Sequence, residues 1–336
     1  MESQMVTPTE KIKLGQTALT QIGLGCMGLS EFYGPPTEEN EAIKLLHTAI
    51  ELGVDHFDTA ESYGVGSANE RLLGKAFADR RDRVFIATKF GPLRDPGTGA
   101  RIGLDGSRAN CRRAIEDSLT RLQTDHIDLY YLHRVDPQTP IEETVSAMAE
   151  LVAEGKVGSI GLSEASAETL RRACVVHPIA ALQSEYSIFS RDIEAEILPC
   201  CIEHGVSLVA YSPLGRGMLT GSFGKDSNLA QTDFRGSMQP RFSGEAFTTN
   251  LALVEEIARV GDTHGVGSAE VALAWIMTKQ VGVLPIAGTT KLANLETNLA
   301  SMNLELTADD MDTLNHLADK VQGTRYNEQG MMSLNG

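Results

Sequence analysis

Short apolar runs alternate with longer amphipathic stretches along almost the whole chain. The short runs lie at 22–26, 54–57, 84–89, 127–133, 157–162, 180–183, 206–211 and 281–286. They read as strands, eight in all, most of them apolar on both faces. Between and after them, apolar residues recur at helical spacing over 38–52, 68–78, 107–122, 140–154, 166–175, 193–204, 250–264, 268–278 and 292–302. Gly155 and Gly205 stand directly after two of these stretches, where a left-handed residue closes a helix. Strands without a polar face suit parallel pairing between two layers of helices. Eight such units close most simply into an α/β architecture, the (β/α)8 or TIM barrel.

An open doubly wound sheet is the alternative. Gly23-Leu24-Gly25-Cys26-Met27-Gly28 has the G-x-G-x-x-G spacing of a dinucleotide turn. No acidic residue ending a second strand about 20 residues later is clearly placed for a ribose. The glycines therefore read as a strand end that lets backbone approach a ligand. Ahead of the first barrel strand, 11–15 and 19–22 form a small hairpin expected to plug the barrel floor. Two connections, 90–106 and 212–245, are glycine-rich and too long to be plain links. Both follow strands on the active-site face and are expected to act as lids over substrate or cofactor. The tail after Lys320 carries Tyr326, Met331 and Met332. It either covers the pocket or is disordered.

Length and charge narrow the function classes. A barrel of 336 residues is read as one domain over 1–336, with an ordered core of about 11–320. The net charge of −16 argues against nucleic-acid binding and against docking on anionic membranes. The five cysteines, Cys26, Cys111, Cys174, Cys200 and Cys201, are odd in number and lack paired spacing, as in a reducing compartment. With no signal peptide and no apolar run of about 18 residues, a cytoplasmic location is expected. No metal site is expected, and the oligomeric state is left open.

The candidate chemistry sits at strand ends. Asp58 and Tyr63 follow the second run, Lys89 ends the third and His133 ends the fourth. In a parallel barrel these ends share the face that carries active sites. A phenol near pKa 10 is a poor proton donor at neutral pH, and a neighbouring ammonium is expected to lower that value. Lys89 is placed to supply the ammonium, Asp58 to hold Lys89, and His133 to donate to a carbonyl oxygen. Such a device protonates a developing alkoxide and needs a separate hydride donor.

From 11 to 320 the chain resembles the aldo-keto reductases. The matching stretches are the glycine turn at 23–28, Phe57-Asp58-Thr59-Ala60-Glu61-Ser62-Tyr63-Gly64, Ala87-Thr88-Lys89 and Asp128-Leu129-Tyr130-Tyr131-Leu132-His133. Gly161-Leu162-Ser163, Gln183-Ser184-Glu185-Tyr186, Ala210-Tyr211-Ser212-Pro213-Leu214-Gly215 and Pro285-Ile286-Ala287-Gly288-Thr289 complete the series. The branch it resembles most holds the pyridoxal and auxin-induced reductases.

The resemblance implies that Tyr63 is the general acid, tuned by Lys89 and Asp58, with His133 orienting the carbonyl. It implies NADP(H) as cofactor and a small aldehyde or bulkier ketone as substrate. Tyr211 then stacks on the nicotinamide, Ser163 and Gln183 hold its carboxamide, and Gly25, Cys26 and Met27 lie beside it. Ser212, Leu214 and Arg216 cross the pyrophosphate. Gly288, Thr290, Lys291, Asn294 and Asn298 grip the adenosine phosphate, where a helix N-terminus favours an anion. Two positions depart from the family pattern: Glu164 follows Ser163 where many relatives have Asn, and Asn294 replaces an adenine-stacking arginine. The alternative functions are a cofactor-binding, redox-sensing regulatory subunit with little turnover and, more remotely, a lyase forming a Schiff base on Lys89.

Overall fold

The computed structural model describes residues 11–95, 97–224, 227, 229, 233–279, 282–332 and 334. The barrel strands, in order, are Leu24–Gly25, His56–Asp58, Phe85–Phe90, Ile127–Leu132, Val157–Ser163, Ala181–Glu185, Ser207–Tyr211 and Val283–Pro285. Each pairs in parallel with the next in the chain. A parallel bridge between Gly23 and Ile286 joins the eighth strand to the first and closes the ring, which sets aside the open sheet. Val281, where the eighth strand is expected to start, lies outside the described residues.

The two faces of each strand explain why the runs look apolar throughout. Phe85, Ala87, Leu129, Tyr131, Ala181, Val209, Leu284 and Ile286 form one buried cluster inside the ring. Their neighbours Ile86, Tyr130, Leu132, Leu182 and Leu208 belong to a second cluster beneath the helices. Because side chains alternate along a strand, the inward set continues upward through Asp58, Lys89, Ser163, Gln183 and Tyr211. Register ties them together: Asp58 pairs with Ala87, Lys89 with Tyr131, and Gln183 with both Ser163 and Val209. Gly161 serves the same layer, since a Cβ there would lie 2.6 Å from the Tyr131 ring.

The hairpin forms as Lys11–Leu14 and Thr17–Thr20, and Leu14 and Leu19 join the inner cluster at the barrel floor, as expected. Other boundaries shift. The long connection after the third strand carries an antiparallel ribbon, Pro92–Arg94 against Arg101–Leu104. The helix expected over 193–204 starts at Ile197, after a short turn at Asp192–Glu194. The one expected from 250 begins at Gly244. A helix at Ala308–Leu317 was not foreseen, although Thr307 and Asp310 make a capping box at its start, a signal readable from T-x-x-D. No helix among the described residues is long and apolar enough to cross a membrane.

Candidate active site

The loop after the second strand is pinned to the third. Thr59 N–H donates to Ala87 O at 2.8 Å, and Glu61 N–H donates to Lys89 O at 3.0 Å. Tyr63 N–H then donates to Ala60 O, and Asn69 N–H to Tyr63 O. Asn69, buried, accepts from Thr59 and donates to Cys26 O and Ser30 Oγ, locking this loop to the exit of the first strand. His133 N–H donates to Phe90 O at 2.8 Å, which sets the fourth strand's exit beside the third's.

These constraints bring the four predicted residues together. Lys89 Nζ lies 2.5 Å from Asp58 Oδ1, 2.8 Å from Thr59 O and 3.4 Å from Tyr63 Oη. Gln183 Nε2 donates to the other Asp58 oxygen at 2.7 Å, reaching across the barrel. The Tyr63 and His133 rings meet edge to face, their centroids 5.6 Å apart. Ser62 Oγ sits 3.4 Å from His133 Nδ1. Lys89 and Asp58 are buried, while Tyr63 and His133 are half-buried and face the mouth.

The electrostatics follow from burial and from the pair. Burial works against the Lys89 ammonium, but Asp58 and Tyr63 outweigh it and hold Lys89 above its ordinary value. A lysine so held is a poor nucleophile, which removes the main support for Schiff-base chemistry. Burial also pushes Asp58 up, against the pull of Lys89 and Gln183. Tyr63 reverses one expectation. Burial raises it, Lys89 pulls it down, Asp58 pushes it back up, and the net direction is upward. The carboxylate that holds the ammonium in place also offsets much of its charge. His133 is held well below its usual value by burial, then by Arg134, Lys89, Arg101 and Arg94, so it is a neutral imidazole at physiological pH.

The residues assigned to the cofactor fall in two groups. Near the tetrad, Ser163 Oγ accepts from Arg134 Nη1 at 3.2 Å, and Gln183 is occupied by Asp58. Gly25 and Met27 are partly exposed, whereas the Cys26 thiol is buried in the outer core and only its backbone faces the strand exit. Tyr211 is partly exposed, and its hydroxyl lies 3.0 Å from that of Tyr326. Ser212 and Arg216 adopt left-handed backbone at φ 49° and 57°, and Leu214 lies between them, partly exposed. The Arg216 guanidinium turns inward, 3.1 Å from Glu185 and against the rings of Tyr211, Phe234 and Tyr326. The second group lies at the start of the helix Leu292–Ala300. Gly288, Thr290, Lys291 and Asn294 are exposed there together, and Asn298 is buried one turn on.

Several participants escaped the sequence reading. Ser62, Arg134 and Thr59 adjoin named residues and are found only through their contacts. Glu164 is already engaged by the protein itself. Its carboxylate accepts from Glu185 N–H at 2.9 Å and from Arg325 at 3.3 Å, in a buried pair. The start of the tail is therefore placed: Arg325 is buried and Tyr326 lies against Tyr211 and Arg216. Among the described residues no group of three or more His, Cys, Asp or Glu side chains is placed to hold a metal ion.

Residues 21–319 match the family described as the Aldo/keto reductase family. Similar solved structures include a glycerol dehydrogenase from Gluconobacter oxydans, 27% identical, TM-score 0.85, covering 94% of this chain and 97% of that one. An aldo-keto reductase from Klebsiella pneumoniae, in complex with NADPH, is 28% identical at a TM-score of 0.72, covering 95% and 98%. The holo form of an aldo-keto reductase from Bacillus halodurans is 27% identical at a TM-score of 0.75, covering 95% and 98%.

Proposed function

This chain belongs to the aldo/keto reductase family, and from that premise we propose that it is an NADP(H)-dependent oxidoreductase reducing an aldehyde or ketone to the alcohol. The carrying observation is the contact of the Tyr63 phenol with the Lys89 ammonium at 3.4 Å, with the His133 ring edge-on to that of Tyr63. NADPH, when bound, supplies the hydride that arrives at the carbonyl carbon. Tyr63 gives its proton to the carbonyl oxygen as the carbon–oxygen π pair moves onto it. Lys89 stabilises the phenolate left behind, and Asp58 keeps Lys89 charged and in place. With its proton on Nε2, a tautomer that the contact of Nδ1 with Ser62 Oγ allows, His133 orients the carbonyl by donating to its oxygen.

The residues present fit the cofactor. With Gln183 Nε2 engaged by Asp58, its carbonyl oxygen remains to accept from a carboxamide NH2. Ser163 accepts from Arg134 and keeps its hydroxyl proton for the carboxamide oxygen. Tyr211 supplies the stacking face, Gly25, Cys26 and Met27 their backbone, and Ser212, Leu214 and Arg216 the wall of the pyrophosphate crossing. The exposed helix start with Gly288, Thr290 and Lys291, followed by Asn294 and Asn298, offers N–H groups, a hydroxyl and a charge to a phosphate. The Klebsiella pneumoniae relative solved with NADPH supports the same choice.

The test is turnover. Oxidation of NADPH, followed by absorbance over a panel of small aldehydes and ketones, should be sustained. Tight NADPH binding with no turnover on any of them would reject carbonyl reduction in favour of a sensing subunit. Lys291→Ala should weaken NADPH about tenfold, one charge-assisted contact, while NADH changes little. Fluorescence titration of both coenzymes measures this, and equal losses would place recognition of the additional phosphate elsewhere.

A further inference from the structure

One charged group at the mouth has no ion pair of its own among the described residues. Arg134 directly follows His133, and its Nη1 donates to His133 O at 2.6 Å and to Ser163 Oγ at 3.2 Å. Among the described residues its Nε and Nη2 make no hydrogen bond, and no carboxylate lies within ion-pair distance. Three other arginines around the mouth are matched: Arg94 by Glu31 at 2.8 Å, Arg216 by Glu185 at 3.1 Å, and Arg325 by Glu164 and Asp192. Glu164 attracts Arg134 from a distance, but its hydrogen bonds go to Arg325 and Glu185 N–H.

A second cation stands nearby without an ion-pair partner among the described residues. Arg101 faces Arg94 across the ribbon that leaves the third strand. That ribbon starts at Gly91, where a Cβ would lie 3.6 Å from Arg134 O. Arg134 and Arg101 both act on His133, and Arg134 also interacts with Tyr63 and Tyr211. In a chain of net charge −16, this is a local cationic rim on the reacting end of the pocket.

A partly buried guanidinium with a free Nε–Nη2 edge is incomplete by itself. Leaving a charge desolvated and unpaired is unfavourable, and that edge matches both oxygens of a carboxylate. With the cofactor phosphates assigned above to the exits of the seventh and eighth strands, an anion at Arg134 is left for the substrate to supply. Resting on the reduction proposed above, we propose that the substrate is a small oxo-acid, an aldehyde or ketone with a carboxylate a few bonds from its carbonyl. Arg134 binds the carboxylate and Arg101 steers it from the rim. Hydride reaches the carbonyl carbon, the oxygen takes the Tyr63 proton, and the product is the corresponding hydroxy acid.

The full chain would be assayed with NADPH on succinic semialdehyde, glutaric semialdehyde and glyoxylate, each against its methyl ester. The acids should exceed their esters in kcat/KM by about tenfold or more, the worth of one charge-assisted contact. Arg134→Gln should collapse that ratio towards unity through KM for the acid, and Arg134→Lys should restore part of it. NADPH fluorescence on each variant reports that the barrel is folded. Acids and esters reduced alike by the wild type, or an acid-to-ester ratio unchanged in Arg134→Gln, would overturn the oxo-acid assignment while leaving carbonyl reduction standing. No turnover on acids, esters or neutral aldehydes would overturn both.

Discussion

Tyr63→Phe should remove roughly two to four orders of magnitude from kcat/KM for carbonyl reduction, the usual worth of a general acid, and leave NADPH affinity nearly unchanged. The substitution deletes one oxygen, 3.4 Å from Lys89 Nζ, and keeps the ring that meets His133 edge to face. The pH profile separates this role from a packing role. Burial, the largest influence on Tyr63, raises its pKa despite the opposing pull of Lys89. The acid form that reduction needs therefore persists through neutrality and is lost only as pH rises past that raised value. Wild-type kcat/KM should hold flat across neutral pH and fall on the alkaline side, with alcohol oxidation moving in the opposite sense. In Tyr63→Phe the residual rate should lack the alkaline fall. Reduction at near wild-type rate would end the assignment of Tyr63 as the acid.

The second large effect concerns stability as well as rate. Lys89→Met should abolish measurable reduction and lower unfolding free energy by about 3–5 kcal/mol, because it strands a buried carboxylate. Asp58 is 2% exposed and Lys89 0%. With the ammonium gone, Asp58 keeps only Gln183 as a side-chain donor among the described residues. Adding Asp58→Asn to Lys89→Met removes the orphaned charge and should return much of the stability without returning activity. Urea denaturation of the single and double variants measures the difference. Equal stability losses would show that the pair contributes through packing rather than charge.

The fold is legible in the sequence because its signals are local. Eight apolar runs and their helical followers need no tertiary knowledge, and the inward periodicity that places Lys89 above Phe85 and Ala87 is carried by spacing alone. Strand ends are less legible. The first strand shrinks to Leu24–Gly25 because Gly23 and Ile286 meet only through a bridge. The tetrad is readable as residue types at strand exits, and the structure adds the distances. What the sequence hides are long-range partnerships. Nothing local in Glu164 tells that Arg325 neutralises it 161 positions later, nor that Gln183 serves Asp58 across the barrel. The net charge state of Tyr63 is hidden for the same reason, since it depends on how fully Asp58 cancels Lys89.

Arg325 and Tyr326 close part of the cleft from the far end of the polypeptide. A terminal segment can change in length or composition without shifting any strand register. The tuning of what enters this enzyme is thereby uncoupled from the architecture that holds its acid. Substitution around Tyr326 can reshape the cleft while the scaffold beneath stays as it is, so long as the Arg325 charge remains to neutralise buried Glu164.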